Sequence, residues 1–318
     1  MFEELFEIIK KHDIITIFGH LNPDGDCFGS QISLRDTLRL RFPEKKIYAI
    51  GSGVRRFKPL IGEMDIVDDD VIKESLAILV DGNDIPRMED KRCATAKAWI
   101  KFDHHVDVGS FTQGPSVVRE DANSCCEIIA DFIVEQNLDI NDRIANALYL
   151  GILTDTGRFQ FIQDFPKTFR QAAWLCENGA DPKKINSILN MTNEMSMSFK
   201  GFVFSNYRKT EQGVIYLTLK YKDIVRFNLT PSKAGSMVNL ISNVEGYPIW
   251  AFFCEEEDGK NHAEFRSNGP AVQPIASKYG GGGHMQAAGV TLPDSKPETI
   301  QKVVDDLNET VLAFQKEN

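Results

Sequence analysis

Three short apolar runs, each followed directly by acidic or histidine residues, constrain the fold of this chain most strongly. The runs cover residues 14–19, 76–80 and 98–102, and they lead to His20, Asp81 and Asp103. Nearly continuous apolar runs of this length predict strands buried on both faces, and helical patterns between them favour a parallel sheet. Because sites in such sheets form outside the carboxyl ends of the strands, we expect these polar residues to converge there.

The pattern of strands and helices changes near residue 200 and predicts two domains. In residues 1–190, a strand pattern at 46–50 joins the three runs, with helical patterns at 28–41, 124–137, 141–155, 166–179 and 181–191. In residues 203–318, strand patterns at 214–219, 248–253 and 262–266 alternate with helical stretches. We interpret residues 191–202 as a short helical linker. The predicted fold class is α/β, with a parallel-sheet domain flanked by helices and a smaller, mixed α/β domain.

Composition and charge limit the ligands that the chain can bind. Hydrophobic residues make up 42% and charged residues 26% of the 318 residues, which is typical of a soluble globular protein. The net charge of −10 disfavours long duplex nucleic acid, because binding to it depends mainly on neutralising phosphates. A phosphate ligand of this chain is therefore expected to be small and to be held locally, by metal ions or a small basic pocket.

Several features predict a cytoplasmic protein without a membrane partner. The first residues form an acidic, amphipathic pattern, which predicts a surface helix and not a secretory signal. The longest apolar candidate for a membrane span, residues 144–154, is too short and is interrupted by Asn146 and Gly151. The six cysteines contain no Cys-x-x-Cys pair and are expected to be reduced.

Eight potential metal ligands fall at the ends of predicted strands and of one apolar helix: His20, Asp24, Asp26, Asp81, Asp103, His104, His105 and Asp155. Taken alone, Asp24 and Asp26 could simply form a turn, and His104 and His105 could be ordinary imidazoles. The joint occurrence of five carboxylates and three imidazoles is hard to explain by turn chemistry. An apolar segment that ends in a carboxylate is costly unless the charge is paired or binds a metal. The set therefore favours a metal site.

The chemistry of these ligands indicates the metal. Oxygen-rich ligation with a minority of imidazoles suits Mn²⁺ better than Zn²⁺ or Ca²⁺, and it leaves Mg²⁺ open. The ligands outnumber what one ion needs. Two divalent ions about 3.5–4 Å apart are the usual arrangement for displacement at phosphorus.

Four motifs of the chain resemble those of the DHH superfamily, and they occur in the order of that family. They are Gly19-His-Leu-Asn-Pro-Asp-Gly-Asp26, Val80-Asp81, Phe102-Asp-His-His105 and Gly151-Ile-Leu-Thr-Asp-Thr-Gly157. The later segment with Arg266-Ser267, Gly280-Gly-Gly-Gly-His284 and Ala287-Ala-Gly289 is similar to the DHHA1 domain. One departure is Gly25-Asp26-Cys27, where many relatives carry alanines; it replaces one small residue by another.

The resemblance implies a ligand set. His20, Asp24 and Asp81 would hold one ion, and Asp26, Asp81, His104 and Asp155 would hold the other, with Asp81 bridging both. The catalytic group would further include Asp103 and His105. Asp103 would orient His104, and His105 would contact a substrate phosphate.

The glycine run has two interpretations. Alone, it predicts a plain loop as readily as a ligand site. With Arg266, Ser267 and His284 nearby in the DHHA1 pattern, residues Gly281, Gly282 and Gly283 are expected to form an anion clamp, because glycine lets backbone N–H groups approach phosphate closely. Arg158, which follows the fourth motif, is a further candidate for phosphate binding, with an ordinary surface arginine as the equal alternative.

The two-domain pattern resembles most the nanoRNase and pAp phosphatase group of the family, where pAp is 3′-phosphoadenosine 5′-phosphate. It implies a two-metal phosphoesterase for pAp and short oligoribonucleotides. A phosphodiesterase for cyclic di-AMP or pApA is an alternative, and so is a catalytically silent nucleotide-binding regulator. Manganese pyrophosphatases share the first domain but lack the glycine-rich loop, so the resemblance disfavours that activity. The expected partners are short nucleotides, with a second copy of the chain in a homodimer left open.

Overall fold

A computed structural model describes residues 1–107 and 109–317, which form two compact units, Met1–Met191 and Thr192–Asn318. The first unit contains a five-stranded sheet with the order β2-β1-β3-β4-β5, in which all neighbouring strands are parallel. The strands are β1 (Ile14–Phe18), β2 (Lys46–Ile50), β3 (Leu76–Val80), β4 (Ala98–Asp103) and β5 (Ser116–Val118). The predicted parallel sheet is confirmed, and β5 is an additional short edge strand.

Eight helices accompany this sheet in the described part of the first unit. They are α1 (Phe2–Lys10), α2 (Gly25–Arg41), α3 (Lys58–Ile61), α4 (Asp69–Lys73), α5 (Cys125–Glu135), α6 (Asp142–Asp155), α7 (Phe165–Glu177) and α8 (Pro182–Asn190). The central strand β3 is buried at every residue, which is why its sequence is apolar throughout.

Helix α2 is the central helix of the first unit, and it begins three residues before the predicted start at Phe28. The carboxylate of Asp24 explains the earlier start, because it accepts hydrogen bonds from the backbone N–H groups of Asp26 and Cys27. Helix α2 also packs closely on α6. A Cβ atom at Gly29 would lie 2.4 Å from the carbonyl oxygen of Ala147, so only glycine allows this approach.

The second unit contains a mixed six-stranded sheet with the order β10-β11-β9-β8-β7-β6, in which only β7 and β8 pair in parallel. The strands are β6 (Arg208–Lys209), β7 (Val214–Leu219), β8 (Ile249–Glu255), β9 (Asn261–Ser267), β10 (Gly282–His284) and β11 (Ala287–Leu292). The helices are α9 (Glu194–Asn206), α10 (Tyr221–Val225), α11 (Pro231–Gly235), α12 (Gln273–Lys278) and α13 (Pro297–Glu317). The prediction of a mixed α/β fold for this part of the chain is thus confirmed.

Two segments of the second unit differ from the sequence-based expectations. Helix α9 occupies most of the segment interpreted as a linker, and its residues Phe199 and Val203 are fully buried against the apolar core of this unit. Part of the glycine run is a strand and not a plain loop, because Gly282–His284 pairs with β11. Over the described ranges 1–107 and 109–317, the helices lack the combination of length and apolar character that crossing a bilayer requires.

Candidate metal centre and anion-binding face

The polar residues that follow β1, β3 and β4 converge at the carboxyl edge of the parallel sheet. Asp81 lies between two imidazoles: its Oδ2 is 3.3 Å from His20 Nε2, and its Oδ1 is 3.3 Å from His104 Nε2. His104 Nε2 is also 3.3 Å from Asp155 Oδ2 and 3.9 Å from Asp26 Oδ2. Residues from three strand ends and from the end of α6 therefore surround one small volume.

Asp81 occupies a strained and incompletely bonded position. Its backbone has a φ of 56°, a left-handed conformation that costs a residue with a side chain about 1–3 kcal/mol. The residue is 2% exposed, and its Oδ1 accepts no hydrogen bond within the described residues. Burial raises the pKa of Asp81, but the imidazoles of His104 and His20, each 3.3 Å from one of its oxygens, outweigh burial and hold its pKa below the usual range. A buried carboxylate of this kind is suited to a cation on each of its oxygens.

Asp26 is fully buried and is held by the backbone at the start of α5. The N–H groups of Cys125 and Cys126 donate to its two carboxylate oxygens at 2.7 and 2.9 Å. The positive end of a helix dipole stabilises a carboxylate at this position. Burial nevertheless raises the pKa of Asp26 well above its usual range, and the nearby charges of Asp81 and Asp155 raise it further.

The remaining groups of the centre show the same crowding of negative charge. Burial raises the pKa of Asp155 to about 6. Burial lowers the pKa of His104, but the adjacent carboxylate of Asp81 and the charges of Asp26 and Asp155 outweigh burial and raise its pKa to about 10. The hydrogen bond to Asp81 raises the pKa of His20 to about 12. The carboxylates of this site therefore favour positive charge, which divalent ions would supply.

Asp103 differs from the expectation that it orients His104. Its Oδ1 lies 2.8 Å from Nδ1 of His105 and accepts the backbone N–H of His105 at 3.2 Å. This is an Asx-type turn, in which an aspartate bonds the backbone two residues on, and it brings the ring of His105 to Asp103. Among the described residues, Asp103 therefore positions His105 and not His104. Nδ1 of His105 also lies 3.8 Å from Asp81 Oδ1.

Asp24 and Cys27 occupy the beginning of α2. Asp24 Oδ1 caps the helix and lies 3.9 Å from His20 Nε2, while its side chain is 56% exposed. The Cys27 thiol is buried beside His20 and Asp81. The structure thus gives Asp24 a capping role in addition to its predicted ligand role, and it adds a sulfur atom that the ligand set did not include.

The donor atoms of this centre fit divalent metal ions. Three groups of possible ligands each lie within 4.8 Å of one another: His20 with Cys27 and Asp81, Asp81 with His104 and His105, and Asp26 with His104 and Asp155. Asp81 belongs to two of these groups, and its Oδ1, which accepts no hydrogen bond among the described residues, lies 3.3 Å from His104 Nε2 and 3.8 Å from His105 Nδ1. Carboxylate and imidazole ligands in these numbers suit Mn²⁺, Mg²⁺ and related ions.

The turn after α6 places Arg158 close in sequence to the centre. Gly157, Arg158 and Phe159 all have positive φ angles, of 55°, 63° and 64°. The backbone N–H of Arg158 closes the helix by donating to the carbonyl oxygen of Leu153 at 2.8 Å. The side chain of Arg158 is exposed and has no ion-pair partner among the described residues, so a phosphate could reach it.

In the second unit, Arg266 and His284 lie in one row across the sheet. His284 of β10 pairs with Ala287 of β11, and Ala287 pairs with Arg266 of β9. Directly paired residues of antiparallel strands point to the same face, and the two side chains are two strand spacings apart, about 10 Å. The small Ala287 between them leaves space above the sheet. We name this row the anion-binding face, after the role predicted for it, and its Arg266 Nη1 donates to Glu264 Oε2 at 2.8 Å.

The other residues predicted for this face have different surroundings. Ser267 is 8% exposed, and its hydroxyl donates to the carbonyl oxygen of Pro270, so it supports the turn after β9. A Cβ atom at Gly281 would lie 2.2 Å from the carbonyl oxygen of Gly289, and one at Gly283 would lie 2.5 Å from that of Ala287. These two glycines are therefore needed for the close pairing of β10 and β11. Gly282 has open space around its Cα atom.

Comparison with protein families identifies the chain. Residues 14–152 match the model of the DHH family, N-terminal domain, and residues 211–313 match that of the DHHA1 domain. A relative from Mycoplasma pneumoniae, named bifunctional oligoribonuclease and PAP phosphatase NrnA, is 34% identical over 95% of this chain and 94% of its own length. The chain belongs to the DHH family.

Two further comparisons agree with this result. A Bacillus subtilis protein, also named bifunctional oligoribonuclease and PAP phosphatase NrnA, is 32% identical and covers 91% of this chain and 92% of its own length. The crystal structure of an exopolyphosphatase-related protein from Bacteroides fragilis matches with a TM-score of 0.82, at 22% identity, over 97% of this chain and 95% of that one. The structural match shows that the chain shares the fold of that protein.

Three features of the DHH domain were not identified from the sequence. They are the amide cradle of Asp26 at Cys125 and Cys126, the contact between Asp103 and His105, and the position of Cys27. The residues Ser124 and Glu127 indicated where the helix that holds Asp26 begins. A serine followed three residues later by a glutamate predicts the start of a helix, and Ser124 caps α5.

Proposed function

We propose that this chain is a two-metal phosphoesterase that hydrolyses short oligoribonucleotides and pAp to mononucleotides. The observation that carries the proposal is the convergence of His20, Asp26, Asp81, His104 and Asp155 on one volume at the sheet edge. The names of relatives at 34% and 32% identity over most of the chain support the substrate class.

The ligand set favours two divalent ions, which we propose to be Mn²⁺. When bound, such a pair supplies an activated water and neutralises the charge that develops on the phosphate. Asp81 is the residue that would contact both ions, because its two oxygens face different imidazoles. His20 and Asp24 would complete one side of the pair, and Asp26, His104 and Asp155 the other. The imidazole ligands favour Mn²⁺ over Mg²⁺.

His105 is suited to act on the substrate. The carboxylate of Asp103 accepts a hydrogen bond from Nδ1, and Nε2 makes no hydrogen bond among the described residues. The side chain is 44% exposed, so a phosphate at the centre can reach it. We assign to Nε2 of the protonated ring a hydrogen bond to the phosphate and delivery of a proton to the departing 3′-oxygen.

The anion-binding face of the second unit is proposed to bind a nucleotide phosphate. Arg266 keeps part of its guanidinium free after Nη1 donates to Glu264, and His284 has an exposed side chain. A guanidinium and an imidazole beside closely paired glycine backbones suit a phosphate group. Contacts of this kind raise turnover by holding the substrate in position.

Parallel turnover assays test the proposal. The purified chain with Mn²⁺ is expected to hydrolyse pAp and dinucleotides faster than long single strands, and pApA and cyclic di-AMP are measured beside them. Asp81→Asn protein serves as the inactive control. Equal cleavage of dinucleotides and long strands would contradict the substrate class. Stoichiometric metal content without turnover of any of these compounds would support the silent nucleotide-binding alternative.

A further inference from the structure

A groove next to the metal centre has a composition that suits a nucleobase. It has a volume of about 590 Å³, lies within the first unit, and has His104 and His105 among its lining residues. A cavity of this volume is in the range that accommodates small organic ligands. Because two of its lining residues belong to the catalytic group, a substituent of a phosphate bound at the centre has direct access to the groove.

Apolar and uncharged polar side chains form most of the groove, and among the described residues that line it Glu120 is the one acidic or basic side chain besides the two imidazoles. Among the described residues that line it, the other side chains include Phe161, Gln160 and Gln163, together with Glu120, and there is no lysine or arginine. A second phosphate would find no strong positive charge here, and Glu120 would repel it. A neutral, planar base is the part of a nucleotide that fits these walls.

Phe161 is the aromatic wall of this groove, and it is unusually exposed. Phe161 is 74% exposed, although moving an aromatic ring out of water is favourable. An exposed ring beside a phosphate-processing centre is the arrangement that proteins use to stack bases without reading their sequence. Gln160 adds an exposed amide, which has no hydrogen bond within the described residues and can donate to or accept from the edge of any base.

The backbone before Phe161 holds the ring in place. The three successive left-handed residues, Gly157 to Phe159, are kept by hydrogen bonds, and the N–H of Phe161 donates to the carbonyl oxygen of Thr156 at 2.9 Å. A Cβ atom at Gly157 would lie 2.7 Å from Cδ2 of Phe161, so the ring lies directly against this glycine. Left-handed residues with side chains are strained, and strain of this kind persists where the surrounding structure fixes it, commonly at functional sites.

We propose that this groove is a nucleobase subsite in which Phe161 stacks on the base of the nucleotide whose phosphate is hydrolysed. The inference rests on the proposed function, because it requires a nucleotide at the metal centre. Stacking accepts purines and pyrimidines alike, since every base has a π-face. The subsite therefore makes the enzyme selective for nucleotides over other phosphate esters without making it selective for one base.

The test compares two substrates that differ only in the base. One is pAp, and the other is its abasic analogue, 1-deoxyribose 3,5-bisphosphate. Replacing Phe161 by alanine is expected to lower kcat/KM for pAp about ten-fold or more, the effect of losing one stacked base, and to leave kcat/KM for the abasic compound unchanged. Phe161→Trp is expected to restore turnover of pAp. Phe165→Ala removes a neighbouring ring that is 45% exposed and is not part of the groove, and it is the matched control.

Either of two turnover results would overturn the inference. Wild-type turnover of pAp by Phe161→Ala would show that the ring does not stack on the base. An equal loss on both substrates would show that Phe161 acts on the metal centre instead. If the wild-type protein hydrolyses neither compound, the proposed function fails, and binding decides the inference separately. In that case the tryptophan fluorescence of Phe161→Trp must change with AMP and Mn²⁺, while that of Phe165→Trp must not; no change at position 161 contradicts the subsite.

Discussion

The metal centre of the first unit and the anion-binding face of the second hold their functional groups in opposite ways. At the metal centre, Asp26 and Asp81 are almost completely buried, and Asp26 is fixed by two backbone N–H groups. On the anion-binding face, Arg266 has a side chain that is 25% exposed, and His284 is exposed. The metal centre thus holds buried carboxylates, one of them fixed by the backbone, whereas the anion-binding face presents an imidazole and part of a guanidinium at its surface.

The difference follows from the ligands that each region is proposed to bind. A small divalent ion needs several ligand atoms at fixed distances, and burial makes each misplaced carboxylate costly. A nucleotide phosphate is larger and can be met by a flexible guanidinium whose direction is set by one carboxylate, here Glu264. Substitutions at the metal centre should therefore abolish hydrolysis, whereas substitutions on the anion-binding face should lower kcat/KM for the nucleotide.

Of the changes that separate the two regions, metal removal is expected to have the largest effect on activity. Exhaustive treatment with EDTA should abolish turnover of pAp, because the centre supplies the catalysis through bound ions. Added Mn²⁺ should restore activity, and Mg²⁺ should restore less, because the imidazoles of His20 and His104 favour the softer ion. Turnover is followed by phosphate release. Full activity in excess EDTA would rule out the metal centre as the catalytic region.

Asp81→Asn is expected to lower kcat/KM by more than about a hundred-fold, because loss of a residue that only supports a metal ligand already costs about 10–100-fold. Asp81 would contact both ions, so its replacement should also lower the metal stoichiometry, measured by elemental analysis. Asp13→Asn changes a carboxylate whose side chain is 98% exposed, and it serves as the control. Near-native turnover by the Asp81 variant would contradict the two-metal arrangement.

Arg266→Ala should have an intermediate effect, which lowers kcat/KM and leaves metal binding unchanged. A hydrogen bond to a charged group contributes about 1.5–3 kcal/mol, so kcat/KM for pAp should fall about ten-fold or more. The Mn²⁺ content should stay the same, because the metal ligands belong to the other unit. Arg226→Ala, which removes another arginine of the second unit with a 54% exposed side chain, is the matched control. Loss of bound metal in Arg266→Ala would erase the distinction between the two regions.

Cys27→Ala should have the smallest effect. The thiol lies beside His20 and Asp81, but Mn²⁺ prefers oxygen and nitrogen ligands to sulfur. Turnover with Mn²⁺ should therefore stay within about two-fold of the wild-type value. A loss of ten-fold or more in Mn²⁺ affinity, measured by calorimetry, would place this sulfur among the metal ligands.

The sequence predicted the strand ends of the first unit well, because each signal is local. A buried strand is a run of apolar residues, and an acidic residue directly after it needs a partner. The sequence could not predict what surrounds Asp26, because its partners at Cys125 and Cys126 are about a hundred positions away and meet it only through the packing of α2 and α5. Likewise, whether Asp103 contacts His104 or His105 depends on the geometry of a single turn.

The second unit was harder to predict for a different reason. Glycine disfavours strands, so the run at 280–283 indicated a loop. Its pairing as β10 depends on β11 having the small residues Ala287, Ala288 and Gly289, against which the glycines fit closely. The row that joins His284 to Arg266 exists only through this register, which is a property of the folded sheet.

Anomalous X-ray diffraction from crystals grown with Mn²⁺ tests most directly whether the buried region is built for two ions. The account predicts two anomalous peaks about 3.5–4 Å apart, as in two-metal phosphoesterase sites. One oxygen of Asp81 should contact each ion, with His20 beside one peak and Asp26, His104 and Asp155 beside the other. A single peak at the sheet edge, or two peaks that Asp81 does not bridge, would contradict the account.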